Sequence, residues 1–332
     1  MSVDNASGGT GAAKPSDRYL MVLILVVIVA LAVSMPFTLG SIRSELFQTE
    51  VDTLYEFPSG EPVKLAQVER LERIENYYNF TFLAVDENAG TVSISVSANR
   101  DCSLQNCPEL EVTLIAYNDD AALRRGLPPS TSIKIARDDV AFSEQVTLPV
   151  VGWPSQYPFD RYRLRLGAAF SELVDGKAVY LAPDRVTGYS LGTIQNATRD
   201  FTMTAPKPVP VDQVFSPSDS FTPAGVQDVE LRRPTYLWVL SVTLVSLVAI
   251  SSLMSLFSRQ LGDALVGIGS MVLGVWGVRS VLVPSGIGVV TAIDISLSLV
   301  IMALLIGLKV KSFQQLWRRS PVPVRLPKRR KA

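Results

Sequence analysis

Tyr236 to Phe257 reads YLWVLSVTLVSLVAISSLMSLF, a run without one charged side chain. A helix of about 20 apolar residues crosses a bilayer's hydrocarbon core, and only a helix or a closed barrel satisfies its backbone polar groups there. Tyr236 and Trp238 open the run and suit the membrane–water interface. The stretch therefore reads as a membrane span, and the chain as a membrane protein. Toward the C-terminus, Ala264–Leu282 and Ile287–Leu308 are two further apolar runs. Pro284-Ser285-Gly286 separates them and predicts a tight helical hairpin. Toward the N-terminus, Tyr19–Leu39 (YLMVLILVVIVALAVSMPFTL) is a fourth run. Its rival is a cleaved signal peptide, because Ala30-Leu31-Ala32 resembles a cleavage site. The apolar run is longer than a usual signal core, which favours an uncleaved signal anchor.

Charge sets the expected orientation. The formal net charge of +0 hides two opposite blocks. From Ser41 to Arg233 there are 27 acidic and 18 basic residues. The end of the chain carries Lys309, Lys311, Arg318, Arg319, Arg325, Lys328, Arg329, Arg330 and Lys331 and no acid. Basic flanks stay in the cytoplasm. The expected organisation is a cytoplasmic segment over 1–18, a first span over 19–40 and an extracytoplasmic domain over 41–234. Spans over 235–258, 263–283 and 287–308 follow, then a basic cytoplasmic tail over 309–332. The implied location is the plasma membrane, with both termini inside. The bilayer is the first partner, and the tail also suits anionic headgroups.

The region 41–234 is rich in strand signals. Thr91–Ala98, Glu111–Tyr117, Thr131–Ala136, Gln145–Val151, Arg161–Phe170 and Ala178–Leu181 are alternating or β-branched runs separated by turn residues. Short strands at this rhythm predict an antiparallel β-sandwich. Leu65, Val68, Leu71 and Ile74 lie near helical spacing, so a short helix is expected over Glu61–Tyr77, with Pro62 in its first turn. Ala205–Pro223 is rich in Pro and Ser and reads as a linker or strand edge. The fold class is thus α+β: an extracytoplasmic antiparallel sandwich with one span before it and three after.

Composition excludes several chemistries within this chain. Histidine is absent, so no Ser-His-Asp triad, Cys-His dyad or His-ligated metal is available. No Gly-rich phosphate loop appears, and neither a nucleic-acid partner nor a cofactor is expected. Cys102 and Cys107 close a short loop as a disulfide in an oxidising compartment; a metal site would need more ligands. Asp119-Asp120 and Asp138-Asp139 lack calcium-loop spacing and read as surface turns. Asn79-Phe80-Thr81 and Asn196-Ala197-Thr198 are glycosylation sequons.

Four places could carry function. In Arg161-Tyr162-Arg163-Leu164-Arg165-Leu166 the three arginines share one strand face. Such a face is solvated and paired with acids, or it binds a phosphate or carboxylate. Arg279 and Asp294 flank the Pro284 turn on neighbouring helices. Charges inside a membrane are costly unless paired or wet, so the two are expected to approach each other, as a helix lock or as part of an ion path. Gly267, Ser270, Gly274 and Gly277 form a stripe on one helix face that permits close helix packing or lines a pore. Asp263 starts the same helix, where the dipole favours a carboxylate and where a cation channel places a ring of acids. Tyr157-Pro158-Phe159-Asp160 is a structural corner: proline fixes a turn, Phe159 plugs into the core or points at the membrane helices, and Asp160 caps or pairs.

These residues carry two resemblances. Tyr157-Pro158-Phe159-Asp160 followed by Arg161 and Tyr162, together with Arg279-Ser280 through Pro284 to Asp294, resembles an uncharacterised membrane-protein family, domain of unknown function 4436. That resemblance implies a membrane location and no established activity. The same Tyr157–Asp160 corner, Arg232-Arg233-Pro234 before a helix, and Gly262-Asp263 are similar to motifs of pentameric ligand-gated ion channels. The departures are one helix before the domain, only three after it, and no cysteine pair around the corner. The function expected from the sequence is a non-enzymatic membrane protein whose outer domain binds, senses or scaffolds, with an extracytoplasmic ligand and a homo-oligomer or envelope complex as partners. The alternative is an ion channel or permeation subunit.

Overall fold

The computed structural model describes residues 29, 36, 39–40, 53–63, 76–102, 107–117, 126, 129–174, 177–182, 190–214, 223–256, 261–284 and 286–319. The chain divides into two units. One comprises residues 1–42, 239–282 and 293–332, and the other residues 43–238 and 283–292.

Among the described residues the second unit has thirteen strands: β1 (Tyr55–Phe57), β2 (Asn76–Asp86), β3 (Thr91–Arg100), β4 (Leu110–Ala116), β5 (Ser130–Ile135), β6 (Ala141–Pro149), β7 (Val151–Gly152), β8 (Arg161–Val174), β9 (Lys177–Tyr180), β10 (Ser190–Asn196), β11 (Thr202–Met203), β12 (Lys207–Pro208) and β13 (Gly225–Arg232). They form two sheets. One has the order β1-β10-β2-β3-β6 and the other β11-β13-β8-β4-β5, with β12 added beside β13 and β7 and β9 beside β8.

The period-2 side-chain alternation of strands explains the core. Tyr78, Phe80 and Phe82 of β2 and Val92, Ile94 and Val96 of β3 point inward from the first sheet. Val112 and Leu114 of β4, Tyr162, Leu164 and Leu166 of β8, and Val229 and Leu231 of β13 do so from the second. All belong to one hydrophobic cluster. Each large apolar side chain buried in this way contributes about 1.5–3 kcal/mol.

One pairing departs from the expected antiparallel pattern. Strand β10 runs parallel to β2, with Ser190 opposite Asn76 and Asn196 opposite Phe82. No hairpin joins these strands, so no short turn imposes an antiparallel sense. Gly192 lets β1 approach on the other side, since a Cβ there would meet Phe57 Cβ at 3.2 Å.

The short helix expected over Glu61–Tyr77 is corrected at both ends. Pro62 bridges Tyr55, and Asn76 and Tyr77 already belong to β2. Residues 64–75 lie outside the described residues. Within the Pro- and Ser-rich stretch, Lys207–Pro208 is an edge strand on β13 and Val211–Gln213 a turn of 3-10 helix.

Three helices complete the described chain: α1 (Thr235–Leu256), α2 (Leu261–Leu282) and α3 (Ala292–Arg319). Each is long and apolar enough to cross a bilayer, as in a membrane protein. The start expected for the last helix is corrected. Ile287–Thr291 are not helical, and α3 runs from Ala292 to Arg319 instead of 287–308. The connection is therefore not a tight hairpin at Pro284-Ser285-Gly286. The β-branched residues Val289, Val290 and Thr291 extend it, and the unit containing the sheets includes it. The N-terminal span lies outside the described residues, except that Val29, Pro36, Leu39 and Gly40 are helical.

Candidate functional site: a buried ion cluster and an open arginine face

The Tyr157–Asp160 corner follows a 3-10 turn, Pro154–Gln156, and leads into β8. Tyr157 and Asp160 are buried, while Phe159 is exposed and meets Trp238 edge-on at 6.0 Å. The Tyr157–Pro158 peptide is cis. Asp160 faces Arg233, the last residue before Pro234 and α1. Arg233 Nε donates to both carboxylate oxygens of Asp160, at 3.3 and 3.2 Å. Its Nη2 donates to Glu87 Oε1. The guanidinium carbon lies 4.1 Å from the Phe201 ring centroid and 5.0 Å from that of Tyr157. A guanidinium against aromatic faces gains cation–π attraction, which grows as water is excluded.

The electrostatics of this cluster are unbalanced. Two carboxylates share one guanidinium, and the side chains of Arg233 and Asp160 are only 3% and 0% exposed. Burial pushes the Glu87 carboxyl above its ordinary value, and the attraction of Arg233 only partly opposes this. Asp160 is raised for the same reason. Burial also works against the Arg233 charge, but Asp160 and Glu87 outweigh it and hold its pKa above the ordinary value. Glu87 Oε2 is buried and has no hydrogen-bond partner among the described residues.

Glu87 sits in the turn between β2 and β3. Asp86 Oδ1 accepts from the backbone N–H of Asn88 and Ala89, at 3.0 and 2.8 Å, and shapes this turn. Gly90 closes it at φ +65°, a conformation that favours glycine. The next residue, Asn88, reaches the 283–292 segment. Its Nδ2 donates to the Gly286 carbonyl, and its Oδ1 accepts from Gly288 N–H at 3.1 Å. Adjacent side chains of one turn thus hold the residue that precedes α1 and the backbone that follows α2.

The arginine face lies elsewhere on the same domain. Tyr162, Leu164 and Leu166 are buried, and Arg161 and Arg163 are exposed. Register sets Arg163 opposite Glu230 and Arg165 opposite Asp228 of β13. Arg165 holds Asp228 with two bonds, Nε to Oδ1 at 2.7 Å and Nη2 to Oδ2 at 3.1 Å. Glu230 instead accepts from Arg232, through Nε and Nη2, both at 3.0 Å. Arg161 stands 3.6 Å from the same carboxylate. The hydrogen bonds from Arg232 hold the Glu230 carboxyl below its ordinary value. Beside this face is a cavity of about 430 Å³, lined by Arg163, Arg165, Lys207, Trp153, Asp228 and Glu230 among others.

The remaining residues singled out from the sequence are placed as follows. Arg279 Nε donates to Asp294 Oδ1 at 2.5 Å. Because α3 starts at Ala292, Asp294 lies in its first turn and Arg279 in the last turn of α2. Each charge thus sits at the helix end whose dipole favours it. On α2, Ile268, Val275 and Leu282 are buried, whereas Ser270, Gly274 and Gly277 of the small-residue stripe are exposed. A Cβ at Gly274 or Gly277 would meet nothing within 4 Å. Among the described residues, Gly274 and Gly277 therefore seat no other helix. The side chain of Asp263 lies outside the described residues. Cys102 and Cys107 form a disulfide. Both sequon amides are engaged: Asn79 Nδ2 donates to Thr81 and Gln195, and Asn196 Nδ2 to the Phe201 carbonyl.

Sequence reasoning missed Glu87 and Phe201 in the ion cluster, Asn88 beside it, and Trp153, Lys207, Asp228 and Glu230 around the cavity. The Asp86-Glu87-Asn88-Ala89-Gly90 turn is legible as a turn, but nothing local tells that its side chains reach Arg233 or Gly288. These features define a class, a two-sheet β-domain joined to helices of membrane-crossing length. Within it, residues 77–221 match the model of the family described as a domain of unknown function, DUF4436. That is the family the sequence resembles, and the match includes the Tyr157–Asp160 corner but ends before Arg279 and Asp294. It adds nothing to the resemblance to pentameric channels. No curated protein matches the chain.

Proposed function

We propose that the chain is a plasma-membrane protein whose β-domain is an extracytoplasmic binding and sensing module, with both termini in the cytoplasm. One observation carries the reading. Glu87 and Asn88, neighbours in one turn, engage Arg233 before α1 and the Gly286–Gly288 backbone between α2 and α3. A domain that is merely tethered needs a covalent link and no second hold. Two holds from one turn let a change in the sheets reach two chain segments that lead into membrane helices. Breaking a buried ion pair costs several kcal/mol, so the junction stays closed unless something offsets that cost. Absence of a catalytic constellation in the sequence fits a binding role, and the excess of acid over 41–234 with base at the tail fits the orientation.

Hydrogen exchange on the full chain in lipid nanodiscs tests the coupling. Asn88→Ala is expected to speed exchange across 283–292 by about tenfold while β3 and β8 stay protected. Unchanged exchange in that segment sinks the coupling. Ser155→Cys tests orientation: it should react with an impermeant maleimide in intact cells. Labelling only after permeabilisation would overturn the placement.

A second reading, an ion channel subunit, draws on the exposed Ser270, Gly274 and Gly277 stripe, which would face a partner copy or a pore. Light scattering that finds a strict monomer in detergent and in nanodiscs removes it.

A further inference from the structure

The arginine face has more positive than negative groups, and the excess is concentrated at the cavity. The face carries four arginines, Arg161, Arg163, Arg165 and Arg232, and two carboxylates, Asp228 and Glu230, which pair with Arg161, Arg165 and Arg232. Register sets Glu230 opposite Arg163, yet that carboxylate is occupied by Arg232 and approached by Arg161. Arg163 is thereby left without an ion pair among the described residues, and so is Lys207. Lys207 stands on β12 opposite Asp228, whose two oxygens Arg165 already holds. This surplus occurs in a region whose overall balance is acidic, so a general excess of basic residues does not explain it.

The cavity also carries a flat apolar wall. Trp153 lines it and is 50% exposed, an unusual position for an indole in a domain with so complete a core. A volume of about 430 Å³ exceeds the needs of a bare ion and lies within the range of about 300–1,000 Å³ found for small organic ligands. Asp228 and Glu230 also line the cavity, and each carboxylate oxygen has a second lone pair able to accept from a hydroxyl group. Cations for an oxyanion, an aromatic plate for a ring face and carboxylates for hydroxyls together describe one ligand chemistry.

We propose that this cavity binds a sugar bearing a phosphate or carboxylate. Arg163 and Lys207 take the oxyanion, Trp153 covers the ring, and the carboxylate edge receives ring hydroxyls. The site stands independently of the coupling between turn 86–90 and the 283–292 segment.

Calorimetric titration of the full chain in neutral-lipid nanodiscs tests it, with glucose 6-phosphate, glucuronate, uncharged glucose and inorganic phosphate as probes. Saturable binding is expected for the first two and not for glucose. Arg163→Gln and Lys207→Gln should each weaken it about tenfold, the size of one charge-assisted hydrogen bond. Trp153→Ala should weaken the sugar phosphate and leave inorganic phosphate unchanged. Arg161→Gln, whose side chain does not line the cavity, should have no effect. Lys207 lies exposed on an edge strand, so its variant keeps the test decisive if Arg163→Gln fails to fold. The proposal is overturned if neither acidic sugar binds, if glucose binds equally, if inorganic phosphate binds as tightly as the sugar phosphate, or if Arg161→Gln weakens binding as much as Arg163→Gln.

Discussion

Arginine appears in two opposite settings in the β-domain. Around Arg233 one guanidinium serves two carboxylates, itself only 3% exposed and with aromatic rings against it. Around Arg163 two carboxylates are taken up by three other guanidiniums, and the face is open to a cavity. The same residue types therefore do different work. In the first, water is excluded, so every missing partner costs the fold. In the second, water screens the charges, so partners add little stability and a surplus cation is tolerated. Excess negative charge in a dry place raises carboxyl pKa values, and excess positive charge in a wet place is the surface we propose as an oxyanion site.

The largest expected effect breaks the first setting. Asp160→Ala leaves the Arg233 charge buried with half its partners, and loss of about 3–5 kcal/mol is expected from denaturant unfolding of the β-domain. A loss below about 1 kcal/mol would mean that the cluster is wetter than its burial implies. Phe201→Leu keeps the volume near constant and removes the plate under Arg233. It should cost about 0.5–2 kcal/mol, read in the same unfolding experiment.

The pH dependence sharpens the comparison. Burial raises the Glu87 carboxyl, so the folded chain holds a proton that the unfolded chain has already released above 4.5. Stability should therefore fall as pH rises from 4.5 through the folded value, and the melting temperature should drop by about 2–4 °C for each kcal/mol lost. Glu87→Gln should flatten that slope. Glu230 acts in the opposite sense: its carboxyl is lowered, so its contribution is lost only as pH falls below 4.5. A slope that survives Glu87→Gln would assign it to Asp160, whose carboxyl is raised as well.

The smallest effect on stability belongs to the open face. Asp228→Asn removes the bidentate partner of Arg165, but the two side chains are 35% and 44% exposed. Unfolding should change by at most about 1 kcal/mol. Oxyanion affinity should rise, because a third cation is freed beside Arg163 and Lys207. A large stability loss without gain in affinity would show that the two settings differ less than their exposure indicates.

Much of the architecture was legible in local pattern. Three apolar runs near 20 residues became α1, α2 and α3, and alternating stretches around Thr91, Glu111, Thr131 and Arg161 became strands. The division of β8 into an arginine face and an apolar face was also legible, since alternation is a property of the strand itself. What failed was decided by competition between local signals. The helix expected to reach Tyr77 does not extend that far, because the aromatic alternation of Tyr78, Phe80 and Phe82 carries β2 back to Asn76; residues 64–75 lie outside the described residues. The apolar run after Pro284 reads as helix until its β-branched residues are held in the connection, which moves Asp294 from the eighth residue of the expected span to the first turn of α3.

By itself the sequence determined which segments are apolar enough for a bilayer, which alternate as strands, and which charges lie on one strand face. Those properties follow from spacing within a few residues and from solvent preference. Only the tertiary structure decided that Arg233 meets Asp160 73 positions away and Glu87 146 positions away, that β10 joins β2 in parallel, and that Arg163 loses Glu230 to a rival. The physical reason is competition for partners. A carboxylate accepts from whichever guanidinium the packed sheets bring nearest, and packing is a property of the whole chain.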